Sequence, residues 1–177
     1  MAIDLVDLVK GYLTPDVIQM AATHVGESSD ATQKALGGIV PTLIGALSNT
    51  ASTNDGAQQL VRLLDTGKYD GSVLNNVTSL FGSGAATQSA LTGRGILDSL
   101  VGARTGGVSD LISRFAGVRP DSATSLLALA APLVLHVLGK QRSSVGPGSG
   151  ALASLLSGQL SPPGRTRDST NRSRRFF

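Results

Sequence analysis

The 177-residue chain has no cysteine, no tryptophan, two histidines and one glutamate, and only 3% of it is aromatic. The missing cysteine excludes disulfides, thiolate nucleophiles and cysteine-ligated metals. With only His24, His136 and Glu27 to draw on, no His-Glu-x-x-His or comparable metal spacing exists. Two of the six aromatics are Phe176 and Phe177, at the end of a polar tail. A core must therefore be assembled from Leu, Val, Ile and Ala, which suits closely packed helices. Period-two alternation, the mark of a half-buried strand, is also lacking. At this length one domain, with or without a tail, can bury a real core.

Charge is scarce as well, at 15% of residues, and the pI of 9.7 hides an uneven distribution. Residues 162–177 carry Arg165, Arg167, Arg172, Arg174 and Arg175 against Asp168, a net of +4. The remaining 10 basic and 11 acidic residues leave the body at −1. Attraction to an anionic partner is thus expected from the tail, where arginine forks hold phosphates and the Phe pair docks in a pocket. The body has no aromatic stacking platform, so specific nucleic-acid binding is not expected. The opening MAIDLVDLVKGYL places Asp4 and Asp7 where a signal peptide has a basic start and an apolar run, so a cytoplasmic chain is expected.

What is present is helix grammar. Thr14-Pro15-Asp16 supplies an N-cap, a first-turn proline and an acid, and apolar residues at 17, 18, 21, 22 and 25 mark one face before Gly26. Asp30 with Gln33 reads as a capping box opening DATQKALGGIVPTLIGAL. Further apolar sets end near Gly67, Gly82 and Val101, and Val108, Leu111, Ile112 and Phe115 precede Gly117. The expected fold is all-α: a multihelical bundle of short helices with proline-kinked central helices.

A shift of 91 residues superposes the chain on itself. Asp7, Gly11, Thr14, Val17, Gly26, Asp30, Leu36, Pro41 and Leu47 meet identical residues at 98, 102, 105, 108, 117, 121, 127, 132 and 138. Nine identities in forty-six positions is low, but they fall on caps, glycines and prolines, where backbone geometry limits choice. An internal pseudo-duplication of residues 5–50 and 96–141 is the expectation. It bears on SATSLLALAAPLVLHVLG, residues 122–139, which is long enough to span a bilayer. Its counterpart contains Gln33, Lys34, Gly37 and Gly38, so a buried core helix is expected, with no transmembrane segment. Pro41 and Pro132 either kink one helix or separate two, as the most central elements of each half. Gly26, Gly117, Asp30 and Asp121 are the matching structural positions.

The stretches LVDLVKGYLTPDVIQMAATHVG, DATQKALGGIVPTLIGAL, NDGAQQLVRLL, LFG and VSDLISRFAGVRPDSATSLLALAAPLVLHVLGK resemble the DUF937 or YidB-like bacterial family of unknown function. The resemblance spans about residues 1–142. It implies an all-helical domain and brings no activity, substrate or catalytic residue with it. Some members join this domain to an OmpA-like peptidoglycan-binding domain, an envelope association from which this chain departs. Beyond residues 1–142 the expectation is a flexible linker with a short helix, 143–161, and a disordered Arg-rich tail, 162–177.

Little points to chemistry. His24 aligns with Phe115 and is expected at a half-buried apolar position, and His136 at a core edge or interface. The aspartates read as helix caps, and DTGKYDG, 65–71, lacks the glycine spacing of a phosphate loop and reads as a turn. No catalytic residue, metal or cofactor is expected. The leading reading is a non-catalytic homo-oligomer or polymer, a self-assembly or scaffold protein. The alternative is a monomeric binding module for an apolar ligand or amphipathic peptide, with the basic tail docking an anionic partner.

Overall fold

A computed structural model of the chain describes residues 4–82 and 84–146, together with Gly150 and Leu156. Among the described residues there are eight α-helices, two 3-10 turns and no strand, so the fold is all-α. In chain order the helices are α1 Leu5–Tyr12, α2 Pro15–Val25, α3 Ser29–Ala51, α4 Asn54–Thr66, α5 Thr78–Phe81, α6 Ala85–Leu100, α7 Thr105–Ala116 and α8 Pro120–Val145.

The local signals explain most boundaries. Asp4 caps α1 through Val6 N–H, and Thr14 caps α2 through Val17 N–H with Pro15 in the first turn. Gly26 and Gly117 close α2 and α7 in nearly the same left-handed geometry, φ/ψ 72/32° and 71/29°. The α3 cap is Ser28, whose hydroxyl accepts from Ala31 N–H. Asp30 is therefore a first-turn acid interacting with the helix dipole, not the cap of a capping box.

The bundle is not built only of short helices. α3 has 23 residues and α8 has 26, and each runs on through its proline. A proline inside a helix removes one hydrogen bond and crowds the carbonyl four residues back, at a cost of ~3 kcal/mol. The two helices meet this demand differently. Around Pro41 the residue four back is Gly37, and both are exposed, so water reaches the freed carbonyl. Pro41 is thus on the outside, not at the centre of its half. Pro132 is buried, and so is Ala128, whose carbonyl it leaves without a helical partner.

α8 is the centre of the molecule. It packs against α1, α2, α3, α4, α6, α7 and the 3-10 turn Ser72–Asn76. Every residue from Leu126 to Gly139 is buried, as an all-round apolar helix requires. By length and composition alone it could cross a membrane, but 89% of that apolar window lies inside the bundle. It also extends to Val145, into the stretch expected to begin the linker.

Two glycines let other backbone reach α8. A Cβ on Gly93 of α6 would lie 1.7 Å from the Ala128 carbonyl oxygen, so the Gly93 Cα itself touches the oxygen that Pro132 sets free. Such Cα–H···O contacts contribute about 0.5–1 kcal/mol each. On α8, a Cβ on Gly139 would lie 1.5 Å from the Tyr69 carbonyl oxygen, where the connection after α4 crosses it. Gly37 and Gly45 differ: a Cβ on either would touch nothing.

Equilibrium unfolding in urea separates these two classes of glycine. Gly93→Ala and Gly139→Ala force backbone apart and should each lose at least about 2 kcal/mol. Gly37→Ala and Gly45→Ala should gain ~0.5–1 kcal/mol from helix propensity.

Candidate functional site

Leu111 and Phe115 on α7 are 69% and 68% exposed, although the same helix buries Ser109, Ile112 and Ala116. They stand one helical turn apart and form one ridge. Phe115 leans over Gly38 of α3, where a Cβ would meet its ring at 3.3 Å. Next to Gly38 on the α3 surface lie Pro41, exposed, and Gly45, half-exposed. The outer face therefore offers two large apolar knobs beside a strip almost without side chains. Lys34, Asp110 and Arg114, all exposed, give its rim both signs of charge.

Below this ridge, α3, α6 and the start of α7 enclose a cleft of about 550 Å³. Its walls include Leu43, Ala46, Leu97, Leu100 and Val108, with Arg104 among the lining residues. Leu100 also lines a second cleft of about 510 Å³ against α4, shared with Leu63 and Arg62.

A third cavity, of about 440 Å³, lies where the loop after α4 crosses the end of α8. Here Lys68 adopts φ 53°, and Gly67 is required because a Cβ would meet the Tyr69 ring at 2.0 Å. DTGKYDG is therefore a turn, and one that straps the core helix. Arg142 of α8 donates to its Asp65 at 2.8 Å. Beneath it, His136 is 6% exposed, edge-on to Tyr69 at 5.0 Å between ring centroids, with no hydrogen-bond partner on Nδ1. Burial pushes the His136 pKa down, opposed by the negative Asp70, and pushes the Tyr69 hydroxyl up. Hydrogen bonds from Ser72 hold Asp70 below its ordinary value.

The turns at Gly26 and Gly117 meet each other. Glu27 accepts from Arg119 N–H at 3.1 Å and from its Nε at 3.2 Å, and Arg119 also donates to the Val25 carbonyl at 3.1 Å. Arg119 opens α8 without a capping side chain. Glu27 caps that helix from the other half of the molecule, and the Arg119 N–H, followed by the Ser122 hydroxyl, holds its carboxyl below the ordinary value.

The sequence-derived candidates divide accordingly. Arg165, Arg167, Arg172, Arg174, Arg175, Phe176 and Phe177 lie outside the described residues. Gly26 and Gly117 are the left-handed stops expected, and Asp121 sits exposed in the first turn of α8. His24 is exposed, not half-buried: the face centred on Val17, Ala21 and Ala22 lies roughly 80° around α2 from it. Among the described residues no group of three or more His, Asp or Glu side chains is placed to hold a metal.

One family recognises this arrangement of helices in sequence: the bacterial proteins of unknown function DUF937 match residues 7–141. The chain belongs to that family. No curated protein and no solved structure matches it. The family match covers α3, α7 and α8 as far as residue 141, and with them the exposed ridge and the walls of the two clefts that share Leu100.

Sequence reasoning missed the ridge and the role of Glu27. The 108–111–112–115 pattern reads as one buried face, yet it is split between Ile112 inside and Leu111 and Phe115 outside. The only signal for Glu27 was the absence of a capping side chain before Pro120.

The buried histidine fixes a pH window. Its folded pKa lies below the ordinary 6.5, so the unfolded chain takes up the proton first. Stability should be independent of His136 above pH ~6.5 and fall as the pH drops below it. The lowered Glu27 and Asp70 contribute stability above their ordinary values of 4.5 and 3.8, lost only as the pH falls below them. In thermal melts, His136→Leu should remove the slope between about pH 6.5 and 5 and leave the acid limb below pH ~4.5.

Proposed function

We propose that this protein is a non-catalytic, cytoplasmic self-association module whose copies meet through the outer face of α7 and the adjoining strip of α3. One observation carries the reading: Leu111 and Phe115, both more than two-thirds exposed, stand beside a surface that Pro41 and Gly45 leave almost bare. Burying each knob contributes ~1.5–3 kcal/mol. A two-fold contact that lays the knobs of each copy on the strip of the other closes as a dimer, and an offset contact runs on into a ring or filament. The mixed charges of Lys34, Asp110 and Arg114 suit such a self-complementary rim.

A duplicated ancestry fits this reading. The 91-residue offset carries the left-handed stop of α2 onto that of α7 and the start of α3 onto that of α8. Two similar but non-identical halves then present unlike faces. The absence of catalysis is supported by the histidines, neither of which is hydrogen-bonded to a hydroxyl or carboxylate among the described residues. The Arg-rich tail serves as a separate attachment to anionic partners.

Light scattering coupled to size-exclusion chromatography, at tens of micromolar, tests the assembly. The full chain should elute as a multiple of 18.0 kDa. Leu111→Lys with Phe115→Lys should reduce it to single chains without loss of helical content, and residues 1–161 should assemble as the full chain does. A wild-type mass of one chain, or assembly lost only with the tail, would overturn the α7 interface.

A further inference from the structure

We infer that the clefts meeting at Leu100 form a binding site for a free fatty acid of about twelve carbons, with its carboxylate on Arg104. The first cleft, about 550 Å³, is within the ordinary size range of small-molecule sites and is walled mainly by aliphatic side chains. Past Leu100, apolar lining continues along Leu60 and Leu63 of α4 in the second cleft, of about 510 Å³. An extended chain, unlike a compact ring, reaches both clefts by crossing Leu100. No carboxylate lines either cleft, and the charged lining residues are Arg104 in the first and Arg62 in the second.

Arg104 is exposed, and among the described residues its guanidinium has no ion-pair or hydrogen-bond partner. An unneutralised fork donor at an apolar cleft matches an anion attached to an alkyl chain. A single guanidinium binds one carboxylate in a two-point geometry. Asn49 and Thr105 line the same cleft and supply neutral polar groups. The aromatic and aliphatic knobs of a second copy bring no charge to answer Arg104. Leu111 and Phe115 are not among the lining residues, so this site is independent of the self-association reading.

Dodecanoate, titrated below its micelle concentration into the full chain by isothermal calorimetry, tests the site. The expected result is saturable binding of one molecule per chain, with no comparable binding of dodecyltrimethylammonium, which has the same tail and the opposite charge. Arg104→Gln should weaken dodecanoate roughly tenfold, and Ala46→Phe, which fills the cleft, should abolish binding. The Leu111→Lys/Phe115→Lys variant should bind as wild type does. Equal binding of the cationic surfactant, failure to saturate, indifference to Arg104→Gln, or tighter binding of dodecyl phosphate would each overturn the assignment. None of these outcomes depends on the mass measured by light scattering.

Discussion

The fold depends on backbone reaching α8 where α8 is least self-sufficient. Pro132 leaves the Ala128 carbonyl without its helical donor in the middle of the core, where water cannot serve it. Gly93 answers by bringing the α6 backbone against that oxygen, an approach that any Cβ would prevent. One turn beyond His136, Gly139 accepts the Tyr69 carbonyl of the strap in the same way. Between these two contacts α8 is held by backbone as well as by side chains, and α1, α2, α3, α4 and α7 pack around what remains of its surface. The His136 and Tyr69 rings fill the space under the strap. That burial, and not any chemistry, lowers the affinity of the imidazole for a proton.

The two longest helices show how one local pattern serves two purposes. Both α3 and α8 carry a proline twelve residues after their first residue, but the first faces solvent and the second is buried. The outer proline leaves α3 smooth on the side where α7 raises Leu111 and Phe115. The inner one recruits a glycine from α6. The halves are joined at their turns: Glu27, from the loop closed by Gly26, caps the helix that follows Gly117. Ser28 caps α3 from within its own chain segment, whereas α8 depends on the other half.

Much of this was legible in the sequence where local geometry decides the outcome. Thr14-Pro15, Gly26 and Gly117 announce their roles because caps and left-handed stops need particular residues within a few positions. The capping box expected at Asp30 lies two residues from the cap the structure uses, since Ser28 and Asp30 are both good cap residues and the helix begins at Ser29. His24 shows the same limit. Its alignment with Phe115 suggests a half-buried apolar position, but Phe115 is itself exposed and the buried face of α2 is centred on Val17, Ala21 and Ala22. The linker expected from 143 meets a helix there, since α8 continues to Val145. Leu156 packs wholly inside, with its carbonyl bonded to Ser48 Oγ at 3.2 Å. The clefts around Leu100 could not be foreseen, because their walls come from α3, α4, α6, α7 and α8 and correspond to no sequence pattern.

The sequence by itself determined that this is an all-helical chain without disulfides or a thiolate, capped and stopped at named residues, with a family resemblance that the match over residues 7–141 establishes. These properties rest on composition and on interactions spanning a few residues, which each segment carries with it. Only the tertiary structure decided which proline is inside, which glycines are contact points and which are bare, and which apolar residues of α7 remain exposed. Those outcomes depend on how much of each helix its neighbours cover, and coverage is a property of the assembled helices, not of any one of them.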